Sequence, residues 1–222
     1  MFGLLFNCID TEFFKLQVDK FKKKHIIFEI SSIYFGYGQD VYHEDFSTFL
    51  HVSDEKIFKK NKDVIALTGI NCQYLSCAPS FDDIYNSVFF RKPTDYFVFW
   101  GKKDIFLLNA YLSKIPNCSF FLNERNCIDL QEEYGVILST DETMSLSAAC
   151  REINVTQNTF HNSCDDAIAT KNILCFLVNK INSESICNYR SSLCSHLNNL
   201  DIFQKSMLNN CYKQVSFNGK LI

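Results

Sequence analysis

The chain has 222 residues, enough for one substantial domain, and 47% of them are hydrophobic, so a large core can be filled. Its formal net charge is only −3, from 22 basic and 25 acidic residues, which excludes general electrostatic adhesion to nucleic acid or anionic lipid. Any such partner must be held by a local site.

Eleven cysteines are an odd number and none is spaced as C-x-x-C, which points to reduced, buried thiols rather than a zinc knuckle or redox motif. The apolar opening "MFGLLFNCID" is broken at Asp10 before a signal-peptide core is complete, and no later run reaches membrane-spanning length. The expectation is a cytoplasmic chain without a membrane partner.

In chain order, "GLLFNCI" at 3–9 predicts a central strand and "HIIFEISSIYFG" at 25–36 a second. "YFGYGQDVY" predicts a turn into a third strand around 41–50, the three forming a meander. "SFDDIYNSVFF", which can be read with or without a Ser-x-x-Asp capping box at its start, predicts a helix. "DYFVFWG" at 95–101 predicts a buried strand, "DIFLLNAYLSKI" at 104–115 a helix, "SFFLN" a further strand and "TMSLSAACREIN" a short helix. "DDAIATKNILCFLVNKI" predicts a long helix with its buried stripe through 167, 170, 174, 177 and 181. Strands come first and then alternate with helices, which predicts an α/β fold with a mixed central sheet flanked by α-helices. With only seven glycines and three prolines and no evident linker, one compact domain is expected.

The charges can now be placed. Asp10 and Glu12 are two apart on a strand, so both carboxylates point to the same face. Like charges at a buried strand end are costly unless neutralised, and hard cations such as Mg2+ or Mn2+ suit oxygen ligands. An acid-x-acid pair arises by chance about three times in such a chain, so the pair alone decides nothing. Asp104, taken alone, reads as a helix N-cap, and His161 as a surface or core histidine. The ordered set is more informative: Asp10 and Glu12 after one strand, Asp104 after another, His161 and Asp166 leading into the last long helix. These are junctions on the carboxyl side of strands, where α/β sheets build sites.

At these residues the sequence resembles the DEDDh 3'-to-5' exonucleases of the ribonuclease H-like fold. "IDTE", "FWGKKD" and "HNSCDDA" resemble their three motifs, "IIFEIS" their second strand, "LTGI" at 67–70 their substrate-side loop, and "CIDL" at 127–130 the segment before the third motif. The "LTGI" and "FWGKKD" neighbourhoods lean toward the RNA-trimming, sporulation-inhibitor-like branch. The resemblance implies that Asp10, Glu12, Asp104 and Asp166 hold two divalent cations, Mg2+ or Mn2+, and that His161 is the general base. The substrate would be the 3' end of single-stranded RNA or DNA. Asp166 is the implied ligand because the family spacing is His-x4-Asp; Asp165 is left to cap or solvate the helix start.

The chain departs from the pattern at Phe13, where many members carry Thr or Ser. Phe13 or Phe14 would then stack on a base, with core packing as the alternative for both. Leu67 and Ile70 would wedge against the terminal base. "FKKKH" at 21–25 and "KIFKKNKD" at 56–63 are either phosphate contacts or solvated surface. The expected division is an exonuclease domain over 1–182 and a helical extension over 183–222, amphipathic through 194, 197, 200, 203 and 207, which packs back on the domain or binds a partner. A catalytically silent nucleic-acid-binding or scaffold domain on the same fold is the competing reading.

Overall fold

The computed structural model describes residues 4–18, 20, 23–37, 43–140, 143–155, 161–184 and 193–194. Most of the expected C-terminal helix and the turn at 38–42 lie outside the described residues.

The meander forms as expected. β1 (Leu4–Gln17) pairs antiparallel with β2 (Lys23–Tyr37), and β2 pairs antiparallel with β3 (His43–Phe49). β4 (Tyr96–Phe99) joins the other edge of β1 in parallel, and β5 (Cys127–Asp129) extends β4, giving a mixed five-stranded sheet in the order β3-β2-β1-β4-β5. The first strand does not end before the acids. It runs on to Gln17, because Phe13, Phe14 and Leu16 continue the apolar pattern opposite Ile27, Ile26 and Lys24. A register shift between Glu12 and Phe13 bends the strand just beyond the acidic pair.

The short segments α1 (Glu55–Lys60), α2 (Lys62–Thr68) and α3 (Cys72–Cys77) pack at the far end of the β1–β2 hairpin, burying Ile57 and Leu75 with Phe14 and Phe28. α4 (Phe81–Phe89) starts at Ser80, whose N–H and hydroxyl both donate to Asp83 at 2.9 and 2.6 Å. With α5 (Lys102–Leu112) it covers one face of the sheet, over Ile9, Ile27, Ile30, Phe97 and Phe99. The other face, built on Phe6, Cys8, Ile33 and Val98, is covered by α6 (Leu130–Leu138), α7 (Leu146–Glu152) and α8 (Ser163–Glu184). The α8 stripe Ala167, Thr170, Leu174, Leu177 and Ile181 is buried, as its spacing predicts.

One expected strand is absent. Residues 119–123 are irregular, because buried Asn109 of α5 meets both backbone groups of Leu122, donating to its carbonyl at 2.8 Å and accepting its N–H at 2.9 Å. A side-chain amide does there what a neighbouring strand would do, and the fifth strand is Cys127–Asp129 instead.

Candidate active site

β1 outruns its parallel neighbour. β4 pairs with Phe6–Cys8 alone and ends at Phe99, so the edge of β1 beside Asp10 is left for other elements. The chain turns at Gly101, with φ of 94°, a conformation L-residues avoid; a Cβ there would also stand 2.9 Å from Gln131 Oε1. α5 then begins at once, and its first turn carries Asp104, which is buried and accepts a hydrogen bond from the Thr11 hydroxyl of β1. Asp104 arrives from the α5 side of the sheet.

α8 supplies the other side. The Asn162 side chain accepts the N–H groups of Cys164 and Asp165, both at 3.1 Å, and so caps the helix; Asp165 itself is not the cap. Buried Ser163 and Ala167 seat this end of the helix against the sheet. Asp166 is thereby brought to Asp10 and Glu12, with one carboxylate oxygen from each lying within 4.8 Å of the others. Three of the four expected metal-holding acids form this cluster, and Asp104 stands beside it as an electrostatic neighbour of Asp10 and Glu12.

The cluster is electrostatically unsatisfied. Burial first, and then the charges of Asp104, Asp166, Glu12 and Glu29, push the Asp10 carboxyl well above the usual range. Burial, with Asp166 and Glu29 next, lifts Glu12 to about 8. Burial lifts Asp104 to about 6 against the opposing bond from Thr11. Hard oxygen donors that repel one another at this distance fit a divalent cation, which removes the repulsion and restores the charged forms.

A further acid was not singled out by the sequence reading. Glu29 of β2 sits opposite Glu12 in register, is buried, and accepts hydrogen bonds from both the hydroxyl and the backbone N–H of Ser163. It ties the first residue of α8 to the sheet. Its signal in the sequence was a charged residue in the middle of the apolar run "IIFEI".

His161 is exposed and precedes α8 by two residues, with φ of 63°. Of the expected base contacts, Phe14 is fully buried and stacks on Phe28 at 4.3 Å, and Ile70 is buried in the same cluster, so neither presents a surface to a nucleotide. For Phe14 this is the core-packing alternative. Leu67 on α2 is 59% exposed. Phe13 is half-buried, edge-on to His25 with ring centroids 5.2 Å apart, and the Lys103 ammonium lies 4.0 Å above its ring.

Residues 8–174 match the RNase T-type exonuclease family, a stretch that contains Asp10, Glu12, Asp104, His161 and Asp166; the chain belongs to this family. No curated protein matches the sequence. Among solved structures, a full-length 3'-exonuclease superposes with a TM-score of 0.63 at 15% identity, over 83% of this chain and 84% of that one. The nuclease domain of 3'hExo, a DEDDh family member bound to rAMP, gives 0.58 at 17% identity, over 76% of this chain and 88% of that one. Escherichia coli exonuclease I in complex with a dT13 oligonucleotide gives 0.60 at 12% identity, over 82% of this chain but 43% of that one. The fold is thus the ribonuclease H-like α/β fold of these enzymes. Among the described residues, no helix is long and apolar enough to cross a membrane.

Proposed function

We propose that this chain is a metal-dependent 3'-to-5' exonuclease that hydrolyses phosphodiester bonds at the 3' end of single-stranded RNA or DNA and releases nucleoside 5'-monophosphates. The observation that carries the reading is the convergence of Asp10, Glu12 and Asp166 from a strand and a helix, with Asp104 delivered from the opposite face of the sheet. The solved 3'-exonucleases and the oligonucleotide-bound exonuclease I support the same reading through their shared fold.

Two divalent cations, Mg2+ or Mn2+, would be held by Asp10, Glu12, Asp104 and Asp166; when bound they supply an acidified water and charge stabilisation at the attacking and leaving oxygens. The chain's own groups do the rest. Thr11 holds Asp104 by its hydroxyl, and Glu29 fixes the start of α8 and so the place of Asp166. His161 takes the proton of the attacking water, the general-base work most often done by histidine. Its left-handed backbone at the lead-in to α8 fits a side chain held for a task. The exonuclease domain spans residues 1–182 in this reading, and residues 183–222 are an appended segment. The setting is cytoplasmic.

The test is to strip the protein with EDTA, add back Mg2+ or Mn2+, and chromatograph the products from single-stranded RNA and DNA. Nucleoside 5'-monophosphates that appear only on metal addition are expected, and the RNA-to-DNA ratio assigns the substrate. Release of nucleoside 3'-monophosphates, or turnover indifferent to EDTA, would contradict the reading.

A further inference from the structure

The outer half of the β1–β2 hairpin carries a concentration of positive charge that the carboxylate site does not use. Lys15 faces His25 across the hairpin, and Lys23 pairs with Gln17 one step further out. Lys103 reaches the same place from α5, its ammonium over the Phe13 ring. Burial, and then the charges of Lys103, Lys15 and Lys23, hold His25 below its ordinary value. Three lysines from three elements thus crowd one histidine in a chain whose net charge is −3. Repulsion of this kind contributes nothing to folding, whereas a polyanion laid across it would relieve it.

Position supplies the second argument. Lys103 directly precedes Asp104 in the first turn of α5, so the positive patch adjoins the acid delivered from that side of the sheet. At the strand rise of about 3.3 Å per residue, Lys15 lies about 10 Å beyond Glu12, and the Gln17–Lys23 pair about 17 Å beyond it. That length suits a few nucleotides. Phe13 adds an aromatic surface at the inner end, with Lys103 held against it by cation–π attraction.

We propose that this hairpin face is the track for a single-stranded nucleic acid entering the carboxylate site, its phosphates held by Lys103, Lys15 and Lys23 and its backbone passing Phe13 and His25. The proposal rests on the exonuclease reading for the identity of the strand. It assigns "KKKH" a role through Lys23 and His25.

The test measures binding of a short 5'-fluorescein-labelled oligothymidylate by anisotropy in EDTA, which stops metal-dependent hydrolysis, over a series of salt concentrations. For single strands each phosphate contact contributes about 0.7 to the slope of log K against log salt. The Lys15→Gln/Lys23→Gln/Lys103→Gln variant should lose about 2 from the slope, and Lys15→Gln/Lys23→Gln about 1.4, each binding at least about tenfold more weakly at low salt. Lys114→Gln, at the other end of α5 over Tyr111, should match the parent. Thermal unfolding checks that each variant is folded, and the double variant, whose lysines are exposed, serves if the triple is not. Parental affinity and slope in the variants, or no binding by the parent, would overturn the track. Salt-dependent binding that the substitutions weaken, without hydrolysis in Mg2+ or Mn2+, would remove the exonuclease reading and leave the track standing; hydrolysis with unchanged slopes would do the reverse.

Discussion

Glu12→Gln should make the metal-free protein more stable at pH 8 while abolishing its activity. In the folded chain Glu12 is lifted from 4.5 to about 8, mainly by burial and then by Asp166 and Glu29. Because the folded state holds this proton more tightly than the unfolded state, the contribution to stability is fully present below about pH 4.5 and is lost as pH rises to about 8. At about 1.4 kcal/mol per pH unit the full loss is about 5 kcal/mol, and screening at this half-buried, solvent-open position reduces it to about 2 kcal/mol. Urea unfolding in EDTA should therefore show the parent weakening between pH 5 and pH 8 and the variant weakening less, with a gap of about 2 kcal/mol at pH 8 and little gap at pH 5. Added Mg2+ should stabilise the parent and not the variant. If Glu12→Gln is no more stable than the parent at pH 8 in EDTA, the carboxylates do not repel one another as described.

Thr11→Val removes the hydroxyl that favours the charged form of Asp104, so the acid limb of the pH–rate profile should move to higher pH and the Mg2+ requirement should rise. Gly101→Ala forces a left-handed φ and a Cβ against Gln131; a stability loss of about 1–3 kcal/mol and a larger fall in kcat than in KM are expected, read by urea unfolding and steady-state kinetics. Glu29→Ala should lower kcat more than Glu29→Gln does, because an amide oxygen still accepts one bond from Ser163; equal losses would assign Glu29 a role through its charge alone.

The parts of the fold legible in the sequence are those with a long period or a strong boundary. The α8 stripe repeats over many turns, and α4 announces itself through Ser80 and Asp83. The helices between 55 and 77 are six or seven residues long and bury at most one residue each, too little for a period to emerge. Leu130, Tyr134 and Ile137 of α6 have helical spacing behind the Asp129 cap, a short signal carried by three residues. The strand expected at 119–123 failed because Asn109, ten residues earlier in the chain than that segment, satisfies its backbone, which no local pattern reveals. At the site, the ordered motifs pointed to Asp10, Glu12, Asp104 and Asp166, of which the fold brings Asp10, Glu12 and Asp166 together, whereas Glu29 and Lys103 become significant only when the register and the α5 entry place them against Glu12 and Phe13.

The most direct test is digestion of a 5'-labelled single-stranded RNA and its DNA counterpart in Mg2+ or Mn2+, with the parent chain beside Asp10→Ala and His161→Ala. A ladder shortening from the 3' end in the parent, and lost in both variants, is the predicted result. Strands bound by the parent yet left intact with either metal would contradict it and assign the fold a binding role without catalysis.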